Sequence, residues 1–297
     1  MRVFITGASG WIGSAAVDDL LAAGHEVVGL ARSDASEAAL TARGAQVLCG
    51  DLDDLDGLRR GAADAEAVLH LANKHDFTDP AVSNRAERGA VEAMGEVLAG
   101  SDRPFLIASG VAVPLGRPLT EEDRSPAHGL NSMRGGSENL ALELAERGVR
   151  SMSARFAPTV HGAGDHGFIA VLVGIAREKG VAGYVADGSS RWPAVHRSDA
   201  ARLVRLGLEQ APAGTILHAV AEEGVPTREI AEAIGRGLGV PAVPVAPEDV
   251  QAHFGWIGGF FGLDVPASSE RTRALLGWTP TGPTLQEDLA TDAYFRG

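Results

Sequence analysis

The stretch Thr6-Gly7-Ala8-Ser9-Gly10-Trp11-Ile12-Gly13 decides the fold. It follows the apolar run Val3-Phe4-Ile5, which reads as a strand, and leads into a helix-period segment over residues 14–23. Three glycines between a strand and a helix have distinct physical uses. Gly7 permits a tight turn, Gly10 lets a pyrophosphate approach the backbone, and Gly13 lets the helix pack close to the sheet. The free N–H groups and positive dipole end of the helix then face the phosphates. Ser9, Trp11 and Ile12 fill the turn between these glycines and are expected to contact the same ligand. The turn therefore predicts a bound dinucleotide.

Outward from this turn, strand-like runs alternate with helix-period segments, the signature of a parallel sheet covered by helices. Further strands are expected at residues 26–31, 46–49, 67–71, 104–109 and 150–156. A helix at 136–147 should stop at Gly148, placed as a C′ glycine. The pattern then loosens to a helix over 168–179, a turn and helix over 195–209 and a strand at 215–220. Another helix follows at 227–237, with Thr227 as its N-cap. The tail, with Pro241, Pro244, Pro247 and Pro266, reads as short helices and loops. The expected architecture is α/β, a doubly wound parallel sheet (Rossmann fold) with a smaller C-terminal substrate lobe. Residues 1–160 form the dinucleotide-binding part, to which 194–220 return. Residues 161–193 and 221–297 form the smaller lobe.

Charge narrows the partners. The 297 residues carry 26 basic and 39 acidic side chains, a formal net charge of −13. Such a surface repels nucleic acid and anionic lipid, so neither is an expected partner. Ligand phosphates must be held by backbone amides or a few local arginines. No apolar stretch approaches the roughly 20 residues that span a bilayer. Met1 passes straight into a strand-like run, leaving no room for a signal peptide. The single cysteine, Cys49, cannot form an internal disulfide, which fits a reducing interior. Its apolar surroundings predict a buried structural thiol. A cytoplasmic location is expected.

The residue ending the second strand selects between the two nicotinamide dinucleotides. An acid there binds the ribose 2′-hydroxyl of NAD, and an arginine accommodates the 2′-phosphate of NADP. Here the strand is followed by Arg32-Ser33, with no acid at its end. Arg32 can pair bidentately with phosphate, while Asp34 is read as a cap of the next helix. NADP is favoured, with NAD as the alternative.

The turn motif Thr-Gly-x-x-Gly-x-x-Gly resembles that of the short-chain dehydrogenase/reductase superfamily, in particular its extended and atypical members of the NAD-dependent epimerase/dehydratase group. Other segments match in order. Gly50-Asp51-Leu52 resembles the stretch where an aspartate contacts adenine. His70-Leu71-Ala72 is similar to the end of the fourth strand beside the cofactor. Ala108-Ser109-Gly110 occupies the place of the active-site serine. Arg155-Phe156-Ala157-Pro158-Thr159-Val160-His161-Gly162 is similar to the sixth-strand segment lying against the nicotinamide. Val195-His196-Arg197-Ser198-Asp199-Ala200 resembles the group's later motif. The resemblance thus implies cofactor contacts at Asp51, Leu52, Leu71, Ala72, Pro158 and Val160, and an NAD(P)-dependent oxidoreductase acting on a small carbonyl or alcohol.

One expected feature is missing. Members of this group carry Tyr-x-x-x-Lys before the sixth strand, where the ammonium lowers the phenol pKa for proton transfer. The only tyrosines here are Tyr184 and Tyr294, and the only lysines Lys74 and Lys179. Counting back from Arg155 places Leu130 at the tyrosine position and Arg134 at the lysine position, with Met133 and Ser137 as an alternative register. Arg134 can bond ribose hydroxyls but is a poor proton relay. Ser109, Arg134 and His161 are the candidate catalytic residues, with His75, His128, His166 and His196 less distinguished. His161, Asp165 and His166 lack ligand-like spacing to any second cluster, so no metal is expected. A dinucleotide-binding protein without chemistry, and an epimerase or dehydratase, remain open alternatives. So does a homodimer through the helix at 136–147.

Overall fold

The computed structural model of the chain describes residues 1–74, 79–111 and 113–296. Seven parallel strands form the main sheet: β1 (Arg2–Thr6), β2 (Glu26–Ala31), β3 (Gln46–Cys49), β4 (Ala67–His70), β5 (Pro104–Gly110), β6 (Arg150–Phe156) and, after three strands that lie elsewhere, β10 (Thr215–Ala219). The three outside this sheet are β7 (Thr159–His161), β8 (Ala182–Val185) and β9 (Arg191–His196), and later come β11 (Glu222–Pro226) and β12 (Ala242–Val245). The spatial order β3-β2-β1-β4-β5-β6-β10 reverses direction between β1 and β4. At such a switch point a crevice opens beyond the carboxyl ends of the strands.

Helices cover both faces. They are α1 (Trp11–Ala22), α2 (Asp34–Ala42), α3 (Leu55–Ala63), α4 (Pro80–Leu98), α5 (Ser137–Glu143), α6 (Phe168–Lys179), α7 (Arg197–Gln210) and α8 (Thr227–Leu238). Four short ones follow: α9 (Val250–Phe254), α10 (Gly258–Phe261), α11 (Glu270–Leu276) and α12 (Leu285–Leu289). Central strands of a parallel sheet must be apolar on both faces. Val3 and Ile5 accordingly pack with Val17 and Leu20 of α1 and Leu203 of α7, while Phe4 packs with Leu58 of α3 and Met94 of α4. Among the described residues no helix is long and apolar enough to cross a membrane.

A second apolar cluster lies around Trp192, Ile230, Phe254 and Phe261. It joins α6 and α8 to two small sheets, β11-β9-β7 and β12-β8. The clamp between this part and the main sheet runs through Asp199, the aspartate of the Val195–Ala200 motif. Its carboxylate accepts bonds from Arg202 (2.8 Å) and from the backbone N–H groups of Thr281 (3.0 Å) and Gly282 (2.8 Å). Trp278 donates to its carbonyl at 3.0 Å.

Several local expectations need correction. Cys49 is exposed, because β3 is the sheet's edge strand and the thiol turns toward Glu37 (3.7 Å) rather than the core. The charge of Glu37 pushes the thiol pKa up. Thr227 is the first residue of α8 rather than its cap. Pro226 holds the cap position, and the Thr227 hydroxyl is buried without a partner. The helix expected at 136–147 becomes α5 followed by a 3-10 turn over Leu144–Arg147, ending at Gly148 with φ 72°. The nineteen-residue α4 was not anticipated, although Asp79 caps its first turn and Pro80 opens it.

Candidate active site

The glycine turn has the geometry of a phosphate cradle. Gly7 has φ 72°, and a Cβ there would stand 2.7 Å from the Ala72 nitrogen, so turn and fourth strand are in contact. A Cβ on Gly13 would lie 2.0 Å from the Gly7 carbonyl oxygen, so Gly13 closes the turn on itself as much as on the sheet. A Cβ on Gly10 would meet only the Gly7 oxygen, at 3.1 Å, and otherwise open space. Gly10 is the cap residue of α1, and no acid stands in that helix's first turn. An anion at this turn therefore meets helix N–H donors without local repulsion. These residues fit a dinucleotide pyrophosphate.

Trp11 leaves the turn sideways. Its indole N–H donates to the Val160 carbonyl (2.7 Å), Arg197 stacks on its ring at 4.2 Å, and His166 meets it edge-on. Ser9 is exposed, and Ile12 packs partly buried against the core.

Beyond β2 and β3 lies a cleft of about 310 Å³, lined by Arg32, Ser33, Glu37, Cys49, Asp51 and Asp54 among others. Arg32 is exposed and has no hydrogen-bond or ion-pair partner among the described residues. Ser33, rather than Asp34, caps α2 in a box with Ser36. The Asp51 carboxylate accepts from the backbone N–H groups of Asp53 (2.8 Å) and Asp54 (3.2 Å), which fixes its own loop. Leu52 is buried.

At the carboxyl ends of the central strands, Leu71 and Ala72 follow β4 and Ser109 nearly ends β5, opposite Arg155 in register. Ala72 donates to Thr6 Oγ1 (3.4 Å), which also shares a hydrogen bond with His70 Nδ1 (2.7 Å). Burial, and secondarily the Arg134 charge, push the His70 pKa down to about 3, so this ring is neutral. The Ser109 side chain is half-buried, and its hydroxyl has no partner among the described residues. Pro158 and Val160 lie partly exposed just past β6. Arg155 is turned away, into a buried network with Glu138 (2.7 Å) and the carbonyl of Asp123 (2.7 Å).

Arg134 sits at the end of the long connection after β5. Its Nε and Nη2 both donate to Glu87 Oε1, at 2.9 and 2.6 Å. Leu130 and Met133 are exposed. His161, the third catalytic candidate, is the last residue of β7 and fully buried. Its Nδ1 donates to Asp288 at 2.6 Å, while Nε2 has no hydrogen-bond partner among the described residues and lies 3.9 Å from the Glu222 carboxylate. The structure thus brings Ser109 and Arg134 to the same edge of the main sheet and sets His161 among the smaller sheets. His128 is exposed beside Asn139 (3.2 Å), and His196 bonds Ser198 (2.7 Å). His75 lies outside the described residues. Among the described residues no group of three or more potential ligands could hold a metal ion.

Glu87 and Asn73 were not foreseen. The signal that could have found Glu87 is its place three, four and seven residues before Ala90, Val91 and Met94. A carboxylate in the apolar stripe of a helix is a buried charge in need of a partner.

Among solved structures, the chain is similar to DesIV, the dTDP-glucose 4,6-dehydratase from Streptomyces venezuelae. The TM-score is 0.79 at 21% identity, covering 99% of this chain and 97% of that one. An uncharacterized protein of Schizosaccharomyces pombe is 46% identical over 99% of this chain and 100% of its own. The 2'-dehydrokanamycin reductase of Streptomyces kanamyceticus is 30% identical, over 83% of this chain and 69% of its own. The model of the NAD dependent epimerase/dehydratase family, for which NAD(P) is the typical cofactor, matches residues 3–219. With that match added to the parallel sheet and its glycine turn, the chain belongs to the NAD dependent epimerase/dehydratase family.

Proposed function

We propose that the protein is an NADP(H)-dependent reductase of small, largely apolar carbonyl compounds, working without the tyrosine of its relatives. The observation that carries this reading is the Ser109 hydroxyl, half-buried and unpartnered at the end of β5, on the same sheet edge as the glycine turn. The reductase name of a relative supports the direction of reaction.

Gly7, Ser9, Gly10, Trp11, Ile12 and Gly13 hold the pyrophosphate, mainly through backbone N–H groups. Asp51 and Leu52 line the adenine, and Arg32 and Ser33 receive the 2′-phosphate. Leu71, Ala72, Pro158 and Val160 border the nicotinamide. The bound cofactor supplies a hydride. Ser109 donates a hydrogen bond to the substrate oxygen, and Arg134 offers its Nη1, which is free among the described residues. Charge developing on that oxygen is stabilised by these fixed donors. The proton that completes the alcohol comes from water. His161 serves the contact with Asp288 rather than the substrate.

NAD is the alternative cofactor, favoured by the carboxylates of Asp34 and Glu37 in the same cleft. Leu130 at the tyrosine position favours a second reading, a dinucleotide-binding protein without chemistry. Calorimetric titration with NADPH and NADH tests the first choice. NADPH should bind at least about tenfold more tightly, and Arg32→Ala should abolish the difference, as expected for loss of a charged hydrogen bond. Preference for NADH would overturn the role of Arg32, and binding of neither would overturn the whole proposal. A panel of aliphatic and aromatic aldehydes and ketones, followed by NADPH consumption, then separates reductase from binding protein. In the reductase, Ser109→Ala lowers kcat.

A further inference from the structure

The helix α4 devotes one face to a single arginine. Asn84 Nδ2 donates to the Ser132 carbonyl (3.0 Å), and Arg88 Nη1 donates to the Gly135 carbonyl (3.0 Å). Between them Glu87 receives the Arg134 side chain itself. These three residues stand at i, i+3 and i+4, hence on one face. Ser137 Oγ adds a bond to the Arg134 carbonyl at 2.7 Å.

The backbone at this point is unusual. Arg134, Gly135 and Gly136 are left-handed in succession, with φ of 54°, 62° and 65°. Glycine adopts this region freely, but an arginine does so only where its surroundings over-determine it. Glycine is also needed for space, because a Cβ on Gly135 would stand 2.7 Å from the Asn84 carbonyl oxygen.

Glu87 is only 1% exposed. Burial pushes its carboxyl pKa up, while Arg134 and Asn73 pull it back. Its second oxygen accepts from Asn73 Nδ2 at 2.5 Å, immediately after the β4 segment that borders the glycine turn. A buried carboxylate, a strained backbone and three anchors are far more than an arginine needs to stay at the surface, where about a third of its side chain still lies. Together they fix one direction of the guanidinium, with Nε and Nη2 turned inward and Nη1 left over.

We propose that Glu87 is a positioning residue, which holds Arg134 so that Nη1 is the donor presented to the substrate oxygen beside Ser109. This rests on the reading of Arg134 given above, but one of its two tests does not need turnover. The full-length protein is treated with phenylglyoxal, and adducts at Arg134 and Arg32 are counted by peptide mass spectrometry.

In Glu87→Gln the Arg134 adduct should form about tenfold faster than in the wild type, as expected on losing a charged pair. Arg32, exposed and unpaired, should react equally in both. Asn73→Ala, which loosens Glu87 but leaves the charge pair, should give an intermediate rate and serves if Glu87→Gln does not fold. An unchanged Arg134 rate in the folded variants overturns the positioning role, whether or not any carbonyl is reduced.

With the best carbonyl of the panel, Glu87→Gln should lower kcat about tenfold with NADPH affinity and carbonyl KM unchanged, the pattern of an interaction made in the transition state. Faster labelling with unchanged kcat would make Glu87 a mere counter-charge and overturn the proposal. Should the wild type reduce no carbonyl, the reading of the activity fails while labelling still decides whether Glu87 fixes Arg134.

Discussion

Gly10 and Gly13 lie three residues apart in one turn, and the surrounding atoms give them different tasks. A Cβ on Gly13 would collide with the Gly7 backbone, which has nowhere to move. Gly13→Ala should therefore lower stability by about 1–3 kcal/mol, the usual cost of overpacking, and abolish NADPH binding as well. Gly10→Ala meets only the Gly7 oxygen, at 3.1 Å, a tight contact that a shift of a few tenths of an ångström relieves. It should leave the melting temperature nearly unchanged and weaken NADPH alone. Thermal melts paired with calorimetry check both, and equal loss of stability in the two variants would contradict this division. The same residue scale explains why Cys49 reads differently in sequence and in space. Its neighbours are apolar, but exposure depends on which strand is at the edge.

Helix ends show how little a residue type says without its partners. Thr284 caps α12 in a full box: its hydroxyl accepts from the Glu287 N–H (3.2 Å), and the Glu287 carboxylate accepts from the Thr284 N–H (2.7 Å). This helix carries Asp288 to His161. Thr227, equally well placed by sequence, has a buried hydroxyl without partner. Thr284→Ala should cost about 1 kcal/mol in denaturant unfolding. Thr227→Val, which removes an unmade hydrogen bond at constant shape, should cost nothing or stabilise slightly. The reverse order would refute Thr284 as a cap and the idle role of the Thr227 hydroxyl. The missed α4 belongs to this scale too. Its apolar stripe is interrupted by Glu87, so periodicity alone understates it, while the cap at Asp79 and Pro80 announces it.

Over the whole molecule, protonation should work against the fold as pH falls. His70, His196, His218 and His253 all have pKa values held down, in each case chiefly by burial. A depressed folded-state pKa stabilises the protein above the unfolded value of about 6.5 and is lost as pH falls toward the folded value. For His70 that window runs from about 6.5 down to about 3. The carboxyls of Glu87 and Asp165 are raised by burial and act in the opposite sense, adding stability as pH falls toward their ordinary values. Stability measured by calorimetry should decline from pH 7 to pH 5, and the decline should be shallower in His70→Gln. A flat profile over this range would show that these rings do not bear on stability. The clamps of Asp199 on residues 278–282 and of Asp288 on His161 belong to this scale, since each joins segments roughly 80 or more residues apart.

The sequence by itself determined the parallel sheet with its seven strands, its glycine turn and the helices α1, α6, α7 and α8, because these follow from local periodicity, turn chemistry and short-range sterics. Strand 26–31, strand 46–49, strand 150–156 and helix 168–179 are found with the bounds expected of them. It also placed Ser109 at the end of β5 and Arg134 ahead of α5. Only the tertiary structure decided that His161 is buried against Asp288, that Cys49 faces solvent, and that Arg134 is gripped by Glu87. Each of these depends on which distant segments meet, and the side chains concerned take their direction from partners 12 to 127 positions away.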